Sequence, residues 1–492
     1  MFLFIIFIGL IVIYLLKDIE RPTNFPPGPR WLPLIGNLPE LKKLAKSLGG
    51  QHLALSELSR IYNTNVLGLK LGSDYVVVVF SYNTVRQVLT REEFEGRPDN
   101  FFIRLRCMGI RRGVTCTDGD LWSIQRNFVV RHLRNLGFGK KPMELMVKNE
   151  IESVLTTLQQ DNIHIGKTLA PVVINILWML ITGNQLSTNH QQLDRLLDLF
   201  ELRSKAFDMS GGTLTQYPWL RFVAPERSGY NLIQTINKQL DELFMETINE
   251  HQRNWNENRD DDLIYSYITE MKQNNCKEIF TYEQLVMVCL DLFIAGTQTT
   301  SNTLNFAFLM MILYPEIQEK VHQEIDQFLN GDNLTYSDRH KLPYTEAVLL
   351  EVERYCHVVP ICGPRRVLRD TILEGYHIPK DTTVLISLYS VHKDQEHWKD
   401  PEVFRPDRFL DSTGKLLSPD RLIPFGLGRR RCLGEILAKT CIFMLFVEIL
   451  RKFKITQKSI DRKPIEKPLP GITLSPQPYR AQFLERHSER IQ

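Results

Sequence analysis

Met1 to Leu16 reads MFLFIIFIGLIVIYLL, an apolar run without a charge. As a helix it would be about 24 Å long, a little under the roughly 30 Å hydrocarbon core of a bilayer. The run predicts a membrane anchor over residues 1–20. A cleaved signal peptide is the alternative, but no small-x-small site follows: the chain goes directly to Lys17-Asp18-Ile19-Glu20-Arg21. Lys and Arg are absent upstream and frequent downstream, at Lys17, Arg21, Arg30, Lys42, Lys43 and Lys46. The positive-inside rule then places the rest of the chain in the cytosol. On that side the sequon Asn333-Leu334-Thr335 would stay bare.

Beyond the anchor, Phe25-Pro26-Pro27-Gly28-Pro29-Arg30, Pro33 and Gly36 exclude helix, because proline fixes φ and removes a donor. Residues 21–38 read as a stiff extended hinge and residues 39–492 as one large domain. Val76 to Phe80 is a β-branched run and predicts a short strand. From about Met143 to Tyr355 the pattern is mostly helical. Leu193 to Lys205 and Gly229 to Arg253 are amphipathic, and the Gly/Ser/Thr-rich stretch Asp208 to Tyr217 between them predicts a loop. The longest apolar stretch starts at Thr281, where Thr281 and Gln284 resemble a capping box, and Pro315 stops it. It predicts a buried central helix near 50 Å long. Asp291, Thr297 to Thr300, Ser301 and Asn302 argue against a bilayer span there. Short β patterns such as Thr382 to Leu388 follow, so helices precede strands around one core.

Composition narrows the class. The 492 residues carry 60 basic and 57 acidic side chains, a net charge of +3, which argues against a nucleic-acid binder. Apolar residues at 43% and charged residues at 24% are ordinary for a globular chain. Cys107, Cys116, Cys276, Cys289, Cys356, Cys362, Cys432 and Cys441 form no C-x-x-C pair. Their irregular spacing fits reduced thiols better than a disulfide framework or a zinc ribbon.

One cysteine has unusual surroundings. Phe425-Gly426-Leu427-Gly428-Arg429-Arg430-Arg431-Cys432-Leu433-Gly434 puts two glycines and three arginines before Cys432, and a helical pattern runs from Glu435 to Leu450. A helix N-terminus and neighbouring cations both favour thiolate, a nucleophile or a metal ligand. The alternative is a structural cysteine beside a phosphate loop, but no Lys-Ser/Thr follows the last glycine.

The spacing F-x-x-G-x-R-x-C-x-G, from Phe425 through Gly428, Arg430, Cys432 and Gly434, resembles the haem-binding loop of the cytochrome P-450 superfamily. The resemblance implies a mainly α fold, a triangular helical prism with a small β region behind the anchor helix, and haem b held by Cys432 as axial iron ligand. It extends to Ala295-Gly296-Thr297-Gln298-Thr299-Thr300 inside the long helix. There it assigns Thr299 to hydrogen-bonding dioxygen and delivering protons, with Gly296 and Gln298 beside it. Gln298 stands where an acid is usual, so the proton route needs water or another residue. From the residues alone, Gly296 suggests a ligand approaching closely or a kink, and the Thr299 hydroxyl has the alternative of bonding its own helix.

Glu351-Val352-Glu353-Arg354 and Phe404-Arg405-Pro406-Asp407-Arg408-Phe409 match the family's E-x-x-R and F-x-P-x-R-F. The match implies a buried network of Glu351, Arg354 and Arg408, where an exposed pair would contribute little. Trp122-Ser123-Ile124-Gln125-Arg126 resembles the family's propionate contact, with Arg430 and, after Pro364, Arg365. A cation–π pair of Trp122 with Arg126 is the alternative.

The resemblance further implies an endoplasmic-reticulum enzyme that takes electrons from NADPH through a cytochrome P-450 reductase, with cytochrome b5 as an optional second donor. Arg131, Arg134, Lys140, Lys141, Arg429 and Lys439 are candidates for its docking patch. The loops before Phe101, from Phe200 to Tyr217 and from Val359 to Gly363 are apolar, which suits a lipophilic small-molecule substrate. Asn135-Leu136-Gly137-Phe138-Gly139, Phe207 to Gly212 and Pro218-Trp219-Leu220-Arg221 resemble insect members that epoxidise farnesoic acid or methyl farnesoate in juvenile hormone synthesis. The alternatives are a hydroxylase of another lipid, ecdysteroid, fatty acid or xenobiotic, a reductase-independent isomerase or dehydratase, and a haem carrier without turnover.

Overall fold

The computed structural model describes residues 2–159, 163–185, 190–206, 214, 217–273, 278–329, 334–458 and 463–486. Asn333 of the sequon, Cys276, Phe207 to Gly212 and most of the stretch expected as a loop before Tyr217 lie outside them.

The apolar N-terminal run is helix α1 (Phe2–Asp18), none of whose residues is buried. The proline-rich segment after it is non-helical and is fastened to the domain. Lys70 Nζ reaches the Asp18 carboxylate at 2.5 Å, Gly68 N donates to Pro27 O at 2.7 Å, and Trp31 stacks on Tyr75 at 5.6 Å between ring centroids. The described helix of at least 18 residues that is long and apolar enough to cross a bilayer is Ile165–Thr182, and 67% of it is buried inside the fold.

The main sheet draws strands from both ends of the domain. β1 (Val66–Leu71) pairs antiparallel with β2 (Asp74–Val79), and β2 runs parallel to β4 (Thr383–Ser387), which pairs antiparallel with β3 (Ile361–Arg366). The expectation that strands follow helices is corrected by this sheet, in which β2 and β4 pair across some three hundred residues. The register of β3 shifts between Cys362 and Arg365. Pro364, with no N–H to donate, lies at that shift, where a sheet tolerates it as a bulge.

Helices make up the rest of the core: α2 (Phe101–Arg106), α3 (Gly119–Asn135), α4 (Ile165–Thr182), α5 (His190–Ala206), α6 (Tyr230–Arg253), α7 (Tyr282–Leu313), α8 (Pro315–Phe328), α9 (Pro343–Cys356) and α10 (Glu435–Lys452). The buried central helix is α7. Phe293 packs on Trp178 of α4 at 5.6 Å, and Phe308 stacks on Phe446 of α10 at 5.7 Å. Thr281 caps α7 by accepting from Gln284 N at 3.2 Å. The expected box is only half formed: Gln284 Oε1 accepts instead from Gly113 N at 3.3 Å, tying the loop before α3 to the central helix. Asp291 adds to this tie, its Oδ2 accepting from Val114 N and Thr115 N at 2.8 Å each.

Candidate active site

The Cys432 loop is shaped by its glycines. Gly426 and Gly428 have φ of 72° and 71°, which a side chain rarely adopts. A Cβ on Gly428 would also stand 2.2 Å from Leu89 O, so the backbone at the end of the Tyr82–Thr90 helix packs where a side chain would be. Cys432 N donates to Phe425 O at 2.9 Å and closes the loop. Cys432 is exposed and sits two residues before Gly434, the N-cap of α10.

Thiolate was expected from the arginines and the helix end. The balance differs in the structure: crowding by protein atoms raises the Cys432 thiol above its ordinary range, with Glu435 adding to the rise. The Gly434 N–H and Arg126 pull the other way and do not overcome it. Within the loop, Arg429 pairs with Glu95 at 2.8 Å, and the Arg431 carbonyl accepts from Arg126 Nη2 at 2.7 Å. A metal cation at the sulfur is what would shift this balance to thiolate.

Four buried or half-buried arginines converge beside the loop. Trp122 of α3 has the Arg430 guanidinium 3.8 Å from its ring centroid and that of Arg126 at 5.8 Å. The cation–π reading of the Trp122–Arg126 motif is therefore present, with Arg430 the closer cation. Arg365 is 1% exposed, and its Nε and Nη1 have no hydrogen-bond partner among the described residues. Arg97 was missed in the sequence, where only Pro98 marks it. Its Nη1 donates to Gly363 O and Pro364 O at 2.9 and 2.7 Å, across the β3 bulge. Arg97 and Arg430 each keep an orphaned Nε.

These cations depress one another. Burial and the charges of Arg97 and Arg365 bring Arg430 down to about 8, and burial with Arg97 brings Arg365 to about 10. Among the described residues no carboxylate forms an ion pair with Arg97, Arg365 or Arg430. Nearby Glu95 serves Arg429, and Asp118 serves Arg111 and Arg366. Buried cations with orphaned donors fit an anionic group that is not part of the chain. A dicarboxylate such as haem meets that demand, and the residues present therefore fit it.

The second wall is α7. Ala295, Thr297, Gln298 and Thr299 line a cavity of about 320 Å³ together with Arg97, Gly363 and Pro364. Thr299 Oγ1 donates to Ala295 O at 2.7 Å, so the hydroxyl bonds its own helix. Gln298 Oε1 accepts from Thr473 Oγ1 at 3.4 Å. At Gly296, α7 continues as helix, and an added Cβ would meet Leu177 Cδ1 of α4 at 2.9 Å. The close neighbour is a helix. Of the stretches expected to shape the cavity, the one before Phe101 lines it through Asn100 and the one from Val359 to Gly363 through Val359, Ile361 and Gly363; Phe200 lines it from helix α5, and Arg106 and Arg203 make its wall less uniformly apolar than expected.

Glu351, Arg354 and Arg408 form the buried network. Glu351 Oε2 accepts from Arg354 Nε at 2.7 Å, and Oε1 accepts from Arg354 Nη2 at 2.8 Å and Arg408 Nε at 3.1 Å. The Glu351 and Arg354 side chains are 0% exposed, so this is no surface pair. The remaining arginine donors reach the carbonyls of His392, Pro401, Val403 and Trp398, which fixes the segment leading to the Cys432 loop. Of the six cations expected on the docking face, Arg131, Arg429 and Lys439 pair with Glu270, Glu95 and Glu435, while Arg134, Lys140 and Lys141 are exposed.

Comparison with known proteins agrees with this geometry. The family model described as Cytochrome P450 matches residues 26–483. The chain is 46% identical to "Probable cytochrome P450 305a1" of Drosophila melanogaster, with 99% of both chains covered. It is 37% identical to "Farnesoate epoxidase" of Bombyx mori over 96% of both, and 32% identical to "Cytochrome P450 2J2" of Homo sapiens over 94% of this chain and 91% of that one. A mainly helical domain with a glycine-shaped cysteine loop, an orphaned arginine cluster and a match over nearly its whole length belongs to the cytochrome P450 family.

Proposed function

We propose that the chain is an NADPH-dependent monooxygenase that inserts one oxygen atom from O2 into a lipophilic substrate, with haem bound between the Cys432 loop and α7. The observation that carries this reading is the cluster of Arg97, Arg365 and Arg430, whose buried donors lack an anion. When bound, haem supplies oxygen activation at an iron with Cys432 as sulfur ligand. Arg97, Arg126, Arg365 and Arg430 hold its carboxylates, and Trp122 supports Arg126 and Arg430 from below. Phe425 and Gly428 shape the loop. Glu351, Arg354 and Arg408 hold the segment that presents it.

Thr299 is the proton-handling residue, through an Oγ1 that leaves Ala295 O when a better acceptor enters the cavity. Gln298 contributes no carboxylate, so water in the cavity completes the route. The cavity, at about 320 Å³, lies at the small end of the ~300–1,000 Å³ range of ligand sites.

We infer that the substrate is a sesquiterpenoid, with epoxidation of farnesoic acid or methyl farnesoate as the reaction. The likeness to the Bombyx mori farnesoate epoxidase supports it. Residues 1–20 serve as an endoplasmic-reticulum anchor and 21–38 as the connection to a cytosolic catalytic domain. The exposed apolar α1 supports that arrangement. Arg134, Lys140 and Lys141 form the docking patch for the flavoprotein reductase, with cytochrome b5 as a second donor. Reconstitution with reductase and NADPH on a sesquiterpenoid panel, read by chiral product analysis, tests the proposal. NADPH-dependent epoxide formation is expected. Turnover without NADPH overturns the monooxygenase reading, and unchanged farnesoate and ester beside another oxidised lipid overturn the substrate.

A further inference from the structure

Cys289, Cys356 and Cys441 lie in the core, and burial pushes their thiols up. They act as small apolar side chains. Cys107 and Cys116 are different, because they are packed against each other and against a cation.

Cys107 follows the last residue of α2, and its N–H closes that helix end on Ile103 O at 3.0 Å. The chain then reverses through Met108, Gly109 and Gly113, at φ of 59°, 116° and 77°. The reversal returns Cys116 to the end of α2, where the Cys107 thiol donates to the Cys116 sulfur. Arg106 Nη1 donates to the same sulfur at 3.6 Å. The backbone on either side of Cys116 is held: Asp291 of α7 grips Val114 and Thr115 from one side, and Thr117 Oγ1 donates to Gly113 O at 2.6 Å on the other. Both cysteines belong to the main apolar core, Cys107 at 0% and Cys116 at 3% exposure. Cys116 is the member of the pair that lines the cavity, on a wall shared with Arg106 and Thr299.

The two sulfurs differ in chemistry. Donation from Cys107 lowers the Cys116 thiol, and the charge of Arg106 adds to this against burial. The same hydrogen bond and burial push Cys107 up. Arg106 answers in kind, for Cys116 is the first of the charges that hold it above its ordinary range. A sulfur with thiolate character that faces a cavity, in contact with a protonated thiol, matches the pairing of an attacking cysteine with a resolving one.

We propose that Cys107 and Cys116 form a redox-modification site, oxidised to a disulfide by hydrogen peroxide that reaches the cavity. The Cys116 sulfur attacks one peroxide oxygen. An S–O bond forms and the O–O bond breaks. The second oxygen leaves as hydroxide and takes up the proton that Cys116 has released, which gives a sulfenic acid and water. The Cys107 sulfur then attacks the Cys116 sulfur. An S–S bond forms, the S–O bond breaks, and the departing hydroxide takes the Cys107 proton as a second water. The two sulfurs together lose two electrons, and the peroxide gains them. The bond removes from Arg106 its thiolate partner, so oxidation alters the charge balance of the cavity wall.

The test treats the haem-loaded full chain with hydrogen peroxide, blocks the remaining thiols with iodoacetamide after denaturation, and cuts with trypsin. Arg106, Arg111 and Arg112 put the two cysteines on separate peptides, so a disulfide joins two fragments that are otherwise found apart. The linked pair is expected to rise at least tenfold over the untreated chain and to vanish with dithiothreitol. In Cys107→Ser the first step remains and the second is lost, so Cys116 should carry a sulfenic acid that dimedone traps. Where Cys107→Ser yields no haem protein, brief iodoacetamide labelling of the folded parent decides: Cys116 should react at least tenfold faster than Cys107. Absence of the linked pair at the peroxide dose that bleaches the haem overturns the proposal. So does a bond from either cysteine to another partner in its place, a Cys107→Ser protein with no adduct on Cys116, or equal labelling of the two thiols. The readout is a peptide mass and needs no turnover, so it is independent of the monooxygenase reading.

Discussion

The Arg430 guanidinium lies 3.8 Å from the Trp122 ring centroid, and its Nη1 donates to Thr117 O at 2.8 Å. A residue of the cysteine loop is thus gripped by α3 and the loop before it. The arrangement joins two motifs that lie some three hundred residues apart in the chain, and it fixes one member of an arginine cluster whose members repel one another.

That repulsion gives opposite signs for haem retention and for the haem-free fold. Arg365→Met removes a 1%-exposed cation with two orphaned donors and keeps most of its volume. Haem transfer to apomyoglobin, followed by absorbance, should be at least tenfold faster. The thermal midpoint of the haem-free variant should equal or exceed that of the parent, since an unpaired buried charge is lost. Unchanged haem transfer would remove Arg365 from the site.

Cys432→Ala should abolish the reduced-CO absorbance characteristic of thiolate-ligated haem. A protein that kept that spectrum would show that another residue carries the ligand role.

Glu351 holds two buried arginines. Glu351→Gln leaves Arg354, at 0% exposure, without its negative partner, and leaves Arg408, at 5%, with Asp400 at 3.3 Å. Breaking a buried pair this way costs about 3–5 kcal/mol. Chemical denaturation should show a loss of that order together with poor haem incorporation. A loss under about 1 kcal/mol would mean that solvent reaches the network.

Gly296 predicts a sign reversal. Gly296→Ala gains about 1 kcal/mol of helix propensity, but its methyl would stand 2.9 Å from Leu177 Cδ1, an overlap of the kind that costs about 1–3 kcal/mol. In the parent the substitution should be neutral to destabilising. In a Leu177→Ala background it should stabilise by about 1 kcal/mol. A double-mutant cycle on unfolding free energies reads the coupling, and strict additivity would show that α4 yields to the new methyl.

Acid stability follows from buried neutral histidines. Burial lowers His52 and His322 to about 4 and His392 to about 3, against an ordinary value of 6.5. The unfolded chain therefore binds protons first as pH falls below about 6.5, and stability drops between there and about pH 3. Above 6.5 these groups contribute no pH dependence. His392 Nε2 accepts from Ile423 N at 3.1 Å, a role that a glutamine oxygen can fill. His392→Gln should flatten the fall of the thermal midpoint between pH 6 and about 4, and an identical slope would assign the acid loss elsewhere.

The chain by itself determined whatever depends on local order: the apolar N-terminal helix, the central helix from Thr281 to Pro315, the proline-barred segment after the N-terminal helix, and the motifs around Cys432, Glu351 and Trp122, because periodicity, capping and spacing are written in neighbouring residues. Tertiary structure decided what depends on neighbours from elsewhere in the chain. It showed that Gly296 makes room for Leu177, that Gln284 answers Gly113 and not its own helix end, and that Arg97 joins Arg365 and Arg430 across a bulge. It also raised the Cys432 thiol where adjacent arginines suggested the opposite. The physical reason is the same in each case. Steric contact, hydrogen bonding, desolvation and like-charge repulsion all depend on distances through space, and the order of residues along the chain carries no such distances.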